Sequence, residues 1–286
     1  MAGRLHGVGA VTRGRALVLA LSWAWVSVLL LAPLGIVLAI ALGEPADGVP
    51  PFVLGLHLDN FVTVIADPLY RAALPASVMM AGITTLACLL LGYPMALAIA
   101  RAPERWRAAL LLAVMLPFWT GFLMRLNAWI ALLRDDGWIA GALAWLGFGP
   151  VPLLHTGSAM YIGLVYTYLP FMVLPLHARL TRLDPLTREA AADLGAPPWR
   201  VFAHVTLPLS LPGVWAGAAL VFIPALGEYI VPELLGPPGA RLIGRVGWEE
   251  FFQNRDWPMA AALTWVLLLA LLVIPAALFR RLRWPM

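Results

Sequence analysis

Residues 189–213 read EAAADLGAPPWRVFAHVTLPLSLPG, a stretch polar at its start, broken by four prolines and flanked by long apolar runs. Its local grammar is that of two short helices joined by a turn. Asp184-Pro185 opens a turn, and Thr187 is a suitable cap for the helix that follows. Glu189 to Leu194 is rich in alanine, the strongest helix former. Gly195 tolerates a positive φ and ends that helix. Pro197-Pro198 restart the chain, because proline suits a first helical turn. Trp199, Phe202 and Val205 then make an apolar stripe. Leu207-Pro208 and Leu211-Pro212 are expected to stop the second helix before the next apolar run. Exposed aromatics on so compact a motif mark a docking surface. The competing reading is an interfacial hairpin whose rings dip into lipid headgroups.

The composition around this stretch decides its setting. Of 286 residues, 62% are hydrophobic and 12% charged, against about 25% charged in soluble domains. The solvent for most of the chain is therefore lipid. All nineteen basic residues are arginine and none is lysine. A phosphate-binding loop of the G-x-x-x-x-G-K-[ST] type needs its lysine, so such a nucleotide site is excluded, and any ATP that drives this chain binds elsewhere. The pI of about 9.7 does not indicate nucleic acid, because the arginines sit in short clusters between apolar runs rather than on one basic face. The single cysteine, Cys88, lies in an apolar run and reads as a small buried hydrophobe.

Six apolar segments are long enough to cross a hydrocarbon core of about 30 Å: roughly 16–42, 74–100, 109–133, 158–178, 211–234 and 258–279. The fold class expected is an all-α membrane protein, a single transmembrane domain over 1–286 with a cytoplasmic loop at about 184–208. The first apolar run exceeds the roughly 7–15 residues of a signal-peptide core and is read as a retained helix. With the N-terminus inside, the cytoplasmic pieces hold Arg4, Arg13, Arg15, Arg101, Arg105, Arg107, Arg179, Arg182, Arg188, Arg200, Arg280, Arg281 and Arg283. Thirteen of nineteen arginines then obey the positive-inside rule, and both termini are cytoplasmic. Eleven of the fifteen acids fall toward the outer side, where they concentrate cations or simply tolerate translocation. Residues 57–70 carry apolar positions at 58, 61, 62 and 65 and read as an amphipathic helix lying on the outer surface.

Here the opening stretch meets a family. Glu189, Ala190, Ala191, Gly195 and the later Leu207-Pro208 resemble the E-A-A-x-x-x-G loop of ABC importer membrane subunits, on the side that the arginines independently make cytoplasmic. The resemblance implies a type I importer permease fold, with this loop docked in a groove of an ATPase subunit. Four further stretches resemble polyamine importer permeases, most closely the putrescine-type first permease: LPFWTGFLMRLNAWIALLRDDGW (116–138), YIGLVYTYLPFMVLPL (161–176), FIPALGEYIVPELLG (222–236) and LIGRVGWEEFFQNRDWP (242–258). The likeness covers roughly residues 60–280. It implies a bacterial inner-membrane, multi-pass subunit that is not itself an enzyme and holds no cofactor or metal. Its implied partners are a second permease (a heterodimer), two copies of an ATPase, a periplasmic substrate-binding protein and lipid, with no nucleic acid.

A diamine site needs carboxylates for the ammonium groups and aromatic faces between them. Glu228, Tyr229 and Glu233 stand among Pro224, Gly227 and Pro232, which interrupt regular helix. A carboxylate at membrane depth belongs in a wet cavity, and irregular backbone is tolerated there. Glu228 is thus expected to line a pathway, or else to pair with Arg125 and hold the bundle. Trp248, Glu249, Glu250, Asp256 and Trp257 suit either cation passage or contact with a binding protein. Asp135 and Asp136 read as docking residues or a solvated turn, and Tyr166 and Tyr168 as core rather than site. Related architectures carry iron(III) or sulfate; the acids disfavour sulfate. An ATP-independent channel or carrier has no use for the 189–208 loop.

Overall fold

A computed structural model describes residues 6–147 and 152–281, with side chains from 18 to 273 outside that gap. Arg4 and Arg283 of the orientation argument lie outside the described residues. The chain is helical almost throughout and divides into two compact units, 1–67 with 247–286, and 68–246.

In the first unit, α1 (His6–Ala41) has a span of mean hydropathy 2.5 over Val18–Ala41 that is only 6% buried, so its side chains face lipid or a partner. A short hairpin, β1 (Glu44–Pro45) with β2 (Phe52–Val53), leads to α2 (Asp59–Ala66). The buried Asn60 side chain donates from Nδ2 to the carbonyls of Ala41 and Gly43, both at 2.9 Å. These are carbonyls that the end of α1 leaves without helical partners. Asn60 and Val64 make the inner face of α2, while Leu58, Val62 and Ile65 are exposed. The expected amphipathic helix is present, though shorter than 57–70.

The second unit is built on α3 (Pro68–Arg101), α7 (Gly157–Leu180) and α10 (Leu207–Leu226). Helix α7 is the central one, and Leu164, Met172, Val173 and Leu176 are fully buried. Two polar ties cross this apolar core. Tyr93 Oη and Ser210 Oγ lie 2.8 Å apart, and Ile243 N donates to Ser77 Oγ at 2.8 Å. Buried polar groups persist in such cores only when paired in this way.

Three sequence expectations change. The segment 109–133 is not one rod. Helix α4 (Glu104–Met115) runs into a 3₁₀ turn at Leu116–Trp119, and α5 (Phe122–Leu133) and α6 (Trp138–Trp145) leave at 90°. Pro117 and Gly121 mark the break, with Thr120 Oγ1 closing onto the Pro117 carbonyl at 2.8 Å. Second, 211–234 is divided between α10 and α11 (Ile230–Leu235). Third, Pro208 and Pro212 do not stop the helix that starts at Pro198. Helix α9 (Pro198–Val201) passes through a π-helical turn, Phe202–Thr206, directly into α10. In that wider turn Leu207 N reaches back to the Phe202 carbonyl. The spacing absorbs the N–H that Pro208 lacks and relieves its ring from the preceding turn. Among the described residues four helices are long and apolar enough to cross a membrane, or five if the bent pair counts as one. Two further helices, α12 (Ile243–Trp248) and α13 (Trp257–Arg281), complete the order.

Candidate functional site

Helix α8 (Pro185–Asp193) begins earlier than expected. Its cap is Asp184, not Thr187, and Asp184 Oδ1 accepts from Leu186 N at 3.0 Å. The helix ends as the sequence demands. Gly195 has φ of +80°, Gly195 N donates to the Ala192 carbonyl at 2.8 Å, and Ala196 N donates to Ala191 at 3.2 Å. That pair of bonds is the Schellman closure, which requires the left-handed conformation at Gly195. Glu189 and Ala190 are exposed on α8, with Ala191 half-buried. Leu194 and Trp199 stand out from the turn, 90% and 63% exposed, and the Arg200 guanidinium lies 5.2 Å from the Trp199 ring. Phe202 is not exposed as expected. It is half-buried and packs edge-on against Tyr93, with ring centroids 5.6 Å apart. The aromatic stripe is therefore split: Trp199 faces out, and Phe202 anchors the turn to α3. Leu207 and Pro208 lie within the continuous rod, and Arg179 Nε secures it by donating to the Leu209 carbonyl at 2.9 Å.

At the other end of that rod the chain breaks at Gly227–Tyr229. Glu228 is half-buried and fully engaged. Tyr168 Oη donates to Glu228 Oε2 at 2.7 Å, and Ile230 N donates to Oε1 at 3.0 Å. Charge-assisted bonds of this kind hold a carboxylate in one orientation. The alternative partner, Arg125, forms no ion pair with it. Its Nε and Nη1 are buried without hydrogen-bond partners, and its guanidinium lies over Phe118 at 4.9 Å and Phe122 at 5.8 Å. Phe118 meets Phe171 edge-on at 5.0 Å, and Phe171 lies 6.3 Å from Tyr168. A string of aromatic faces thus runs from the cation on α5 to the carboxylate at the break. Tyr168, read from sequence as core, is 5% exposed and also the hydroxyl that orients Glu228. Tyr166 is a packing residue, edge-on to Trp129 at 5.3 Å.

Glu233 is exposed. It is paired with Arg245, Oε2 to Nη1, at 3.0 Å, a partner that sequence reading missed. Tyr229 is half-buried beside Glu228.

The residues 248–257 belong to the other unit; they are helical through Gln253, and an irregular stretch at 254–256 precedes α13. A π-helical turn at Glu249–Gln253 follows Trp248, and Glu250, 8% exposed, accepts from Asn254 Nδ2 at 2.8 Å. Asp256 Oδ1 accepts from Met259 N at 2.9 Å and so caps α13. Trp257 stacks on Phe251 at 4.8 Å and 10°, and Trp248 leans on Phe252 at 5.5 Å. Glu249 is half-buried in the same turn. Trp248, Glu250, Asp256 and Trp257 thus have ring or hydrogen-bond partners within this unit. Asp135 is exposed, and Asp136 pairs with Arg134 at 3.1 Å in an exposed turn.

Comparison with known proteins agrees with this geometry. The family model of the binding-protein-dependent transport system inner membrane component matches residues 7–283. The spermidine/putrescine transport system permease protein PotB of Escherichia coli K12 is 44% identical over 222 residues, 76% of this chain and 80% of that protein. Its counterpart in Haemophilus influenzae is 38% identical over 258 residues, 89% and 90% of the two chains. A bacterial alginate ABC transporter, solved in complex with an alginate pentasaccharide-bound periplasmic protein, has a chain of the same fold, with TM-score 0.68, 20% identity and 98% of both chains covered. These relatives are transport components, and ATP hydrolysis belongs to a separate subunit. The chain belongs to the family of inner-membrane components of binding-protein-dependent transport systems, the permease subunits of ABC importers.

Proposed function

We propose that this permease moves a polyamine, putrescine foremost and spermidine as the runner-up, across the inner membrane by alternating access. Six spans, the sixth being α13, place both termini in the cytoplasm. A second, different permease completes the pathway, two ATPase copies engage the loops, and a periplasmic protein delivers the substrate.

The observation that carries this reading is the unbroken helical path Pro198–Leu226, roughly 40 Å long at 1.5 Å per residue. It begins beside Trp199 in the docking turn and ends at the break that holds Glu228. Movement of the turn by a closing ATPase pair is delivered along a stiff element to the one half-buried carboxylate of the second unit that Tyr168 and backbone hold ready. A diamine ammonium meets Glu228, and the faces of Tyr168, Phe171 and Phe118 offer its methylenes and second charge a favourable surface, each cation–π contact supplying about 0.5–2 kcal/mol. The names of the bacterial relatives support the same substrate class. Coordination of iron(III) is the other substrate reading, and it wants several hard oxygen ligands at one point, whereas Glu228 gathers a phenol and amides.

The test is uptake of labelled putrescine by the reconstituted complex, with unlabelled spermidine, iron(III) chelate and sulfate as competitors. Competition by spermidine alone supports the proposal; competition by iron(III) without spermidine overturns the substrate.

A further inference from the structure

A second polar site lies behind the docking turn. A cavity of about 250 Å³ is lined by Arg101 at the end of α3, Arg107 on α4, Arg188 on α8 and Thr206 on the π turn. None of the three arginines forms an ion pair with a carboxylate among the described residues. Arg188 Nε is buried with no partner. Arg107 Nε is committed to the Ala102 carbonyl at 3.0 Å, which aims the rest of its guanidinium. The independent observation is Thr206. It is 2% exposed, and its Oγ1 has no hydrogen-bond partner among the described residues. Arg101, Arg188 and Thr206 also line the adjoining opening, where Glu189 is the acid present.

Buried hydroxyls and guanidinium groups are normally satisfied. Three cations and an unpartnered hydroxyl lining one cavity are what a tetrahedral oxyanion satisfies, because the guanidinium fork matches phosphate oxygens two at a time. We propose that this cavity binds a phosphate group, supplied by an anionic phospholipid headgroup or by free phosphate. Bound there, it joins α8 to the ends of α3 and α4. The binding claim concerns this chain alone. Its consequence, that phosphate stiffens the docking element, rests on the coupling reading above.

The experiment uses the purified full chain in a phosphate-free, uncharged detergent, without ATPase, so that failure here is distinct from failure of docking. The thermal unfolding midpoint is followed during titration with inorganic phosphate, with a short-chain phosphatidylglycerol, and with phosphatidylcholine, at constant ionic strength. The expected result is a saturable rise in midpoint with at least one of the first two probes and none with phosphatidylcholine. Response to inorganic phosphate assigns free phosphate as a sufficient ligand; response to phosphatidylglycerol alone assigns the lipid. Arg188→Gln is expected to weaken the response about tenfold, the effect of losing one charge-assisted contact. Thr206→Val, which keeps the shape if the arginine variant fails to fold, lowers it less, and Arg105→Gln, outside the cavity, leaves it unchanged. No response to either phosphate probe, or equal responses in wild type, Arg188→Gln and Thr206→Val, overturns the proposal.

Discussion

The docking turn and the Glu228 break sit at opposite ends of one helical path and are built in opposite ways. The turn leaves Leu194 and Trp199 in the open and is held by local bonds: the Asp184 cap, the Gly195 closure and one ring contact from Phe202 to Tyr93. The break hides its charged group and satisfies it with a hydroxyl from a different helix and the N–H of Ile230. An exposed apolar end is incomplete without a partner. A satisfied carboxylate is already complete and yields only to a stronger cation. On the proposed reading the contrast matches two roles: one end receives a protein, the other exchanges its hydrogen bonds for a substrate.

Substitutions that erase the contrast carry the largest expected effects. At Gly195 any side chain is strained by φ of +80°, at about 1–2 kcal/mol, and Asp adds a charge to the docking face. Gly195→Asp is expected to abolish ATP-driven uptake while the protein remains in the membrane at normal yield, as measured by uptake and quantitative membrane blotting. Glu228→Gln keeps the shape of the break and removes its charge. Uptake of labelled diamine is expected to fall about tenfold, equivalent to about 1.4 kcal/mol, with folded yield unchanged. A fall in yield with normal transport per molecule would make Glu228 a structural residue.

A smaller effect is expected at Gly244, where a Cβ would collide with the Gly227 carbonyl. Gly244→Ala must displace the break itself, at about 1–3 kcal/mol. A lowered thermal midpoint together with weaker diamine competition is the expected outcome. Smallest is Tyr168→Phe, which leaves Glu228 with its amide bonds. A severalfold rise in the diamine concentration for half-maximal uptake, with maximal rate nearly kept, sharpens the claim that Tyr168 orients the carboxylate.

The two ends also differ in how far the sequence revealed them. The turn was legible because its determinants are neighbours: Ala191, Ala192, Gly195 and Ala196 close one another within six residues. Its cap was misplaced by three residues, since Asp184 before a proline outcompetes Thr187 inside the first turns. The continuation through Pro208 was missed because a π turn is a backbone adjustment with no residue signature of its own. The break was legible only as an oddity, a Glu among Gly and Pro. Its chemistry depends on Tyr168, 60 residues away, and the pairing of Glu233 with Arg245 depends on a loop closing in space. Acids at 250 and 256 read equally as cation contacts or binding-protein contacts, and their local bonds were not legible, because one sequence cannot separate a helix cap from a binding group when both are short carboxylates. The bent segment after Met115 was hidden by composition, since apolar residues continue through the bend and only Pro117 and Gly121 mark it.

The most direct test of the account measures ATP hydrolysis and labelled putrescine uptake in the same proteoliposomes, with wild-type complex and with Glu189→Lys in this chain. Hydrolysis that persists while uptake collapses is the predicted result, because the ATPase then turns over without moving the rod. Uptake that stays in proportion to hydrolysis in the variant would contradict the claim that residues 184–208 carry the coupling.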